Sequence, residues 1–172
     1  MNYPTLETNR LIFRELVPDD QFAIFENYSD PDVANWFFDR PFTKLEQAEQ
    51  IIRTFLKSAE DGKGYTWAVL LKESREFIGT CGYENFVDGA RGEIGFDLAK
   101  AHWGKGYMTE ALGVIITYGF DVLKVSEVCA HTYSHNSRAR RVLEKLGFSV
   151  EAIDTDSHSY VLSHSRWAER CD

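Results

Sequence analysis

Cations are under-represented in this 172-residue chain: 19 lysines and arginines stand against 27 aspartates and glutamates, a formal charge of −8 at pH 7. General nucleic-acid binding depends on cationic contacts with phosphate, so nucleic acid is not an expected partner. The field favours approach of a cationic partner instead, weakly and subject to salt screening. Cysteine is scarce as well. Cys81, Cys129 and Cys171 are an odd set with no disulfide-framework or CxxC spacing, which points to reduced thiols and a cytoplasmic setting. No apolar run reaches the roughly 20 residues of a membrane span. The opening residues Met1 to Leu6 lack the basic-then-apolar order of a secretion signal, and no membrane partner is expected. Repeats, low-complexity tracts and linkers are missing too, so one domain over residues 1–172 is expected.

What is present is a globular composition, 44% apolar and 14% aromatic. Residues 10–17, RLIFRELV, alternate as a strand does, and Pro18-Asp19-Asp20 starts a turn and short helix. SDPDVANWFFDRPF, with two prolines, reads as broken helix or loop. Thr43 and Glu46 have capping-box spacing before Leu45, Ala48, Ile51, Ile52, Phe55, Leu56 and Ala59, which recur at helical spacing until DGKG. Strand-like runs follow at 65–71, 77–83 and 93–99, with connections short enough for antiparallel neighbours, one of them VDGARG. Met108, Ala111, Leu112, Ile115, Ile116 and Gly119 share one helical face. Residues 125–133 return to a strand pattern, NSRARRVLEKLG reads as a helix ended by Gly147, and FSVEAI and HSYVLSH suggest a closing hairpin. The order predicts an α/β domain with a mixed sheet, since the two late helices need crossover connections.

Directly before the Met108 helix stands WGKGYMTEA. The first turn of a helix offers unpaired N–H groups and the positive end of its dipole, and glycines let an anion approach them. The stretch is neither GxxxxGK[ST] nor a Rossmann fingerprint. On its own it equally describes glycines that shape a strand-to-helix turn.

The block GEIGFDLAKAHWGKGYMTEAL followed by NSRARRVLEKLGF resembles the GNAT superfamily of acetyl-CoA-dependent N-acetyltransferases. LETNRLIFRELVPDDQFAIFENYSDPDVANWF is similar to the opening of its RimJ/RimL-like branch, whose members acetylate the N-termini of ribosomal proteins. The resemblance covers nearly the whole chain. It implies an α+β type of α/β fold: a mixed, mostly antiparallel sheet of about seven strands with helices on both faces. It also implies acetyl-CoA as co-substrate, an amine acceptor (a peptide N-terminus or a small amine), no metal, and a monomer or homodimer. The pyrophosphate loop of the family falls on Trp103, Gly104, Lys105, Gly106, Tyr107 and Met108, with Thr109 opening the helix. Trp103 and Met108 depart from its usual Gln/Arg opening and Gly/Ala close. The backbone of Phe96, Asp97 and Leu98 falls where the family's splayed strand holds the pantetheine arm, and Asn136 matches an asparagine that binds the arm or orders the site.

Acetyl transfer to an ammonium needs a proton acceptor, a polarised thioester carbonyl and a proton for the leaving thiolate. Glu93, in a Glu-Ile-x-Phe strand that resembles the family's base-bearing strand, is the first choice of base, and a surface glutamate is its equal alternative. Glu84 in CGYENF is the second. Glu110 fits the acidic first turn of its helix. The family's tyrosine acid falls on Leu143 and the Rim-like serine on Ala139. Ser137 and Tyr133 are nearby protic substitutes, with ordinary readings as a helix cap and a strand residue. Arg138, Arg140, Arg141 and Lys145 form a basic run that suits either the ribose phosphate or a solvated face. Cys129, His131, Tyr133 and His135 alternate, without a supporting ligand set for a metal. On the acceptor side Trp36 and Phe37 suit aromatic walls or core, and Asp39, Glu26 and Asp32 suit attraction of an ammonium.

Overall fold

The computed structural model describes residues 4–87 and 90–171. Residues 1–3, which open the leader reading, Asp88 and Gly89 of the VDGARG turn, Asp172 and the Cys171 side chain lie outside the described residues. In chain order the elements are β1 (Leu6–Glu7), β2 (Leu11–Glu15), α1 (Gln21–Ser29), α2 (Pro31–Ala34), α3 (Leu45–Glu60), β3 (Tyr65–Leu71), β4 (Phe77–Val87), β5 (Arg91–Leu98), α4 (Tyr107–Tyr118), β6 (Glu127–Tyr133), α5 (Ser137–Lys145), β7 (Ser149–Ile153), β8 (Ser157–Ser163) and α6 (His164–Cys171). The strands form one mixed sheet of eight, ordered β1-β2-β3-β4-β5-β6-β8-β7.

The period-two rule places helices on both faces. In β3, Trp67 and Val69 join the cluster containing Leu112, Ile115 and Ile116 of α4, whereas Ala68 and Leu70 join Ile24 and Tyr28 of α1 and Ala48 and Ile52 of α3. Burial on both sides is why WAVLL, residues 67–71, is an unbroken apolar run. Truncating a residue such as Ile115, fully buried, to Ala costs roughly 2–5 kcal/mol.

Three details differ from the sequence-based expectation. An eighth strand, β1, pairs for two residues with β2. A terminal helix, α6, follows the closing hairpin. The α3 cap also moves by one residue: the N-cap is Lys44, and Gln47 Oε1 accepts from the backbone N–H groups of Thr43 (2.9 Å) and Lys44 (3.0 Å). A glutamine amide reaches back as well as Glu46 would, which leaves the Thr43–Glu46 spacing without that role.

One feature of the sheet positions the site. Among the described residues β5 and β6 are parallel and pair only through Arg91–Glu127, Gly92–Val128 and Glu93–Cys129. Beyond that point β5 stays with β4, while β6 stays with β8. The two strands therefore part from residue 94 onward.

Candidate active site

At the parting of β5 and β6 a cavity of about 470 Å³ opens towards α4 and α5. Phe96, Asp97, Leu98, Trp103, Gly104, Gly106, Tyr107, Met108, Thr109 and Asn136 line it. Ten of the eleven residues expected around a coenzyme thus share one wall system. Lys105 is the exception: it is exposed at the loop tip, and its carbonyl accepts from Arg10 Nη1 at 3.1 Å.

The glycines have a backbone reason. Gly104 and Gly106 sit at φ +75° and +80°, where an L side chain is strained by roughly 1–2 kcal/mol. A Cβ on Gly104 would meet nothing within 4 Å, so conformation, not crowding, requires glycine there. Gly106 caps α4 and aims the first turn of that helix at the cavity. Trp103, where the resemblance led to a Gln/Arg side chain, donates its indole N–H to the Leu98 carbonyl at 2.7 Å. Its ring carries the Arg138 guanidinium at 4.4 Å, an arrangement that favours a cation–π contact. The basic run divides: Arg138, Arg141 and Lys145 line the cavity, whereas Arg140 donates to Tyr160 Oη at 3.2 Å and the Ser134 carbonyl at 3.0 Å.

Two supports of the loop escaped sequence reasoning. Arg10 Nε donates to Glu110 Oε2 at 2.6 Å, its guanidinium stacks 4.5 Å over Tyr107, and Thr8 Oγ1 donates to Glu110 Oε1. Glu110 is held below the ordinary carboxylate range because these hydrogen bonds outweigh partial burial. The partners lie about 100 positions apart, so no local pattern reveals them.

On the other face of β5 stand the carboxylates. Ile94, Phe96 and Leu98 pack with the α4 cluster, so Glu93, Gly95 and Asp97 point the opposite way. Glu84 is the extra residue of a β-bulge, between the pairs Tyr83–Ile94 and Asn85–Glu93. Its carboxyl lies directly over Gly95. Burial, then the charges of Glu93 and Asp97, push Glu84 above its ordinary value. Glu84 as a whole residue is exposed, and solvent contact limits the size of that shift. Glu93 Oε1 is 3.7 Å from His131 Nε2, and His131 Nδ1 is 2.9 Å from Ser159 Oγ. β6 ends at Tyr133, short of His135.

The acid candidates separate. Leu143 is fully buried core, and Ala139 lines the cavity without a proton to give. Ser137 is exposed at the first position of α5 and is not among the cavity-lining residues. The cap is Asn136, whose side-chain oxygen accepts from the Ala139 N–H at 3.1 Å. On the acceptor side Trp36 and Phe37 line the cavity, and Trp36 lies 5.1 Å from the His135 ring. Phe37 also packs against Tyr28, together with Phe38 and Phe42. Asp32 is ion-paired with Lys100, which lowers its pKa.

A family model described as the acetyltransferase (GNAT) domain matches residues 10–149. The uncharacterized N-acetyltransferase p20 of Bacillus licheniformis is 34% identical over 154 residues, covering 88% of this chain and 86% of that protein. The ribosomal protein uS5-alanine N-acetyltransferase of Escherichia coli (strain K12) is 24% identical over 177 residues, covering 95% and 86%. A GNAT-family acetyltransferase of Bacillus anthracis superposes with a TM-score of 0.85 at 22% identity, over 94% of this chain and 99% of that one. Among the described residues no helix is long and apolar enough to cross a membrane. The chain belongs to the GNAT family and is an acetyltransferase of a family that uses acetyl-CoA as co-substrate.

Proposed function

We propose that the protein, as a single domain over residues 1–172, transfers the acetyl group of acetyl-CoA directly to a primary amine held in the same complex. The observation that carries this is the division of the splayed sheet. A glycine-loop cavity opens on the α4–α5 side, and Glu84 on β4 and Glu93 on β5 stand on the reverse face of the sheet. Acetyl-CoA supplies the activated thioester. Gly104, Gly106 and the first turn of α4 hold its pyrophosphate, and the freed backbone of Phe96 to Leu98 holds the arm beneath it.

Glu84 takes the proton from the acceptor ammonium. Its basicity is raised by burial and by two like charges, which favours its use as a proton acceptor. Glu93 supports that shift and orients His131. A covalent acetyl-cysteine is disfavoured because burial pushes both described thiols, Cys81 and Cys129, upward and away from thiolate. The second proton of the attacking nitrogen passes through water to the leaving coenzyme thiolate.

The acceptor class is a peptide N-terminus or a small primary amine. Coenzyme release as free thiol, measured on alanine-starting peptides and a set of alkylamines, tests the reading. Turnover on one class and none on an alcohol series is expected. A second reading, a coenzyme-binding module without turnover, draws on Leu143 and Ala139, both non-protic. Thermal stabilisation by acetyl-CoA with no thiol release on any amine would establish it.

A further inference from the structure

Asp97 contributes its backbone to the cavity wall, but its side chain faces the other way and is 5% exposed. No lysine, arginine or histidine is among its hydrogen-bond partners in the described residues. Three neutral groups hold it: Asn27 Nδ2 donates to Oδ1 at 2.7 Å, and Tyr28 Oη (3.0 Å) and Thr80 Oγ1 donate to Oδ2. Asn27 and Tyr28 form the end of α1, Thr80 is the cross-strand partner of Asp97 on β4, and Asp97 lies on β5. One carboxylate therefore joins three elements. The chain leaves α1 directly into α2 and the Trp36–Phe37 segment, which lines the cavity.

Resting on the acyltransfer reading above, we propose that Asp97 is a positioning residue for the acceptor half of the reaction: its buried carboxylate clamps the end of α1 to β4 and β5, which fixes the Trp36–Phe37 wall and keeps a negative charge behind Glu84.

Two observations make a purely architectural role insufficient. A buried carboxylate with no cationic partner is an expensive tie, and an apolar contact would join α1 to the sheet more cheaply. Burial raises Asp97 to about 6 in spite of its three donors, so the tie is made at a cost to stability near neutral pH. The charge also acts on its surroundings. It is among the causes that raise Glu84, together with burial and Glu93, and it also raises Cys81 and Tyr28. Those four groups, Glu84 and Cys81 on β4, Glu93 on β5 and Tyr28 on α1, are the titratable neighbours that any pH dependence must include.

Asp97→Asn keeps the shape, because its carboxamide oxygen still accepts from Asn27. It removes the charge and one acceptor. Expected for this variant is an acceptor KM raised at least fivefold with the acetyl-CoA KM within twofold. The acid limb of kcat/KM moves to lower pH as Glu84 loses a like charge. Hydrogen exchange of residues 21–37 quickens while α4 keeps its protection. Tyr28→Phe, which removes one donor and leaves the ring packing, shows the same KM split at smaller size and serves if Asp97→Asn does not fold. Equal rises in both KM values, an unmoved acid limb, or unchanged exchange in residues 21–37 would overturn the proposal. If the wild type releases no thiol with any amine, the acyltransfer reading fails, and the exchange measurement alone decides the clamp.

Discussion

The Glu84 carboxyl occupies the space that a side chain on Gly95 would need: a methyl group built there falls on Oε1 and Cδ of Glu84. The bulge at Glu84 and the glycine across from it are therefore one device. The extra residue turns the carboxylate onto β5, and the missing Cβ lets it lie there, at the point where β5 leaves β6.

Gly95→Ala should act as a catalytic lesion with a mild effect on folding. The obstructed group is a flexible side chain that can swing away, so the melting temperature should change by only a few degrees. Turnover should fall towards that of Glu84→Gln, for which a loss on the order of 10²-fold or more is expected if Glu84 is the base. Steady-state kinetics of the two variants and of Gly95→Ala/Glu84→Gln together make the check. The double variant should be no worse than Glu84→Gln alone, and a fully active Gly95→Ala would exclude this placement of the carboxylate from the chemistry.

The pH profile separates Glu84 from Glu93. A general base works ionised, so kcat/KM should fall as pH drops through the raised Glu84 value. Glu93→Gln removes the stronger of the two like charges acting on Glu84, and the acid limb should therefore move to lower pH with activity retained above it. Were Glu93 the base, the same variant would lose turnover at every pH.

Arg10 should matter to acetyl-CoA, although it sits near the start of the chain. It holds the Lys105 carbonyl, Glu110 and the Tyr107 ring at once, so it braces the loop on three sides. Arg10→Ala should raise the acetyl-CoA KM several-fold while the acceptor KM changes little. As Arg10 is half exposed, the stability loss should stay near the ~1 kcal/mol of a surface ion pair. Calorimetric titration with coenzyme A would read the affinity directly.

These relationships also show what sequence could reveal. The glycine loop and the β5 strand are local patterns whose residues line one cavity, and the α4 stripe is a local pattern that packs into the core. Glu84 and Glu93 were both legible as carboxylates on neighbouring strands. The bulge was not, because a one-residue register shift leaves no compositional trace; the sequence ranks Glu93 first through its resemblance to the family's Glu-Ile-x-Phe strand. Arg10–Glu110 and Asn27–Asp97 join positions 100 and 70 apart and become visible only once the sheet is assembled. Lys105, in the glycine loop, and Ser137, the protic substitute at the first position of α5, are both exposed and do not line the cavity.

Asp97 should also make stability depend on pH in an unusual direction. Its folded value, about 6, lies above the ordinary 3.8, so the native state binds its proton more tightly than the unfolded chain. The contribution is fully present below pH 4 and is lost as pH rises through about 6. Most carboxylates that gain a cationic partner do the reverse. One pKa unit corresponds to about 1.4 kcal/mol, so the full effect is on the order of 2–3 kcal/mol. Asp97→Asn has no charge to bury. Its melting temperature relative to wild type should therefore climb between pH 4.5 and 7.5, by several degrees for a chain of this size. A difference that stays flat across that window would mean that Asp97 ionises in the fold as easily as in water, and that its neutral donors fully offset the burial.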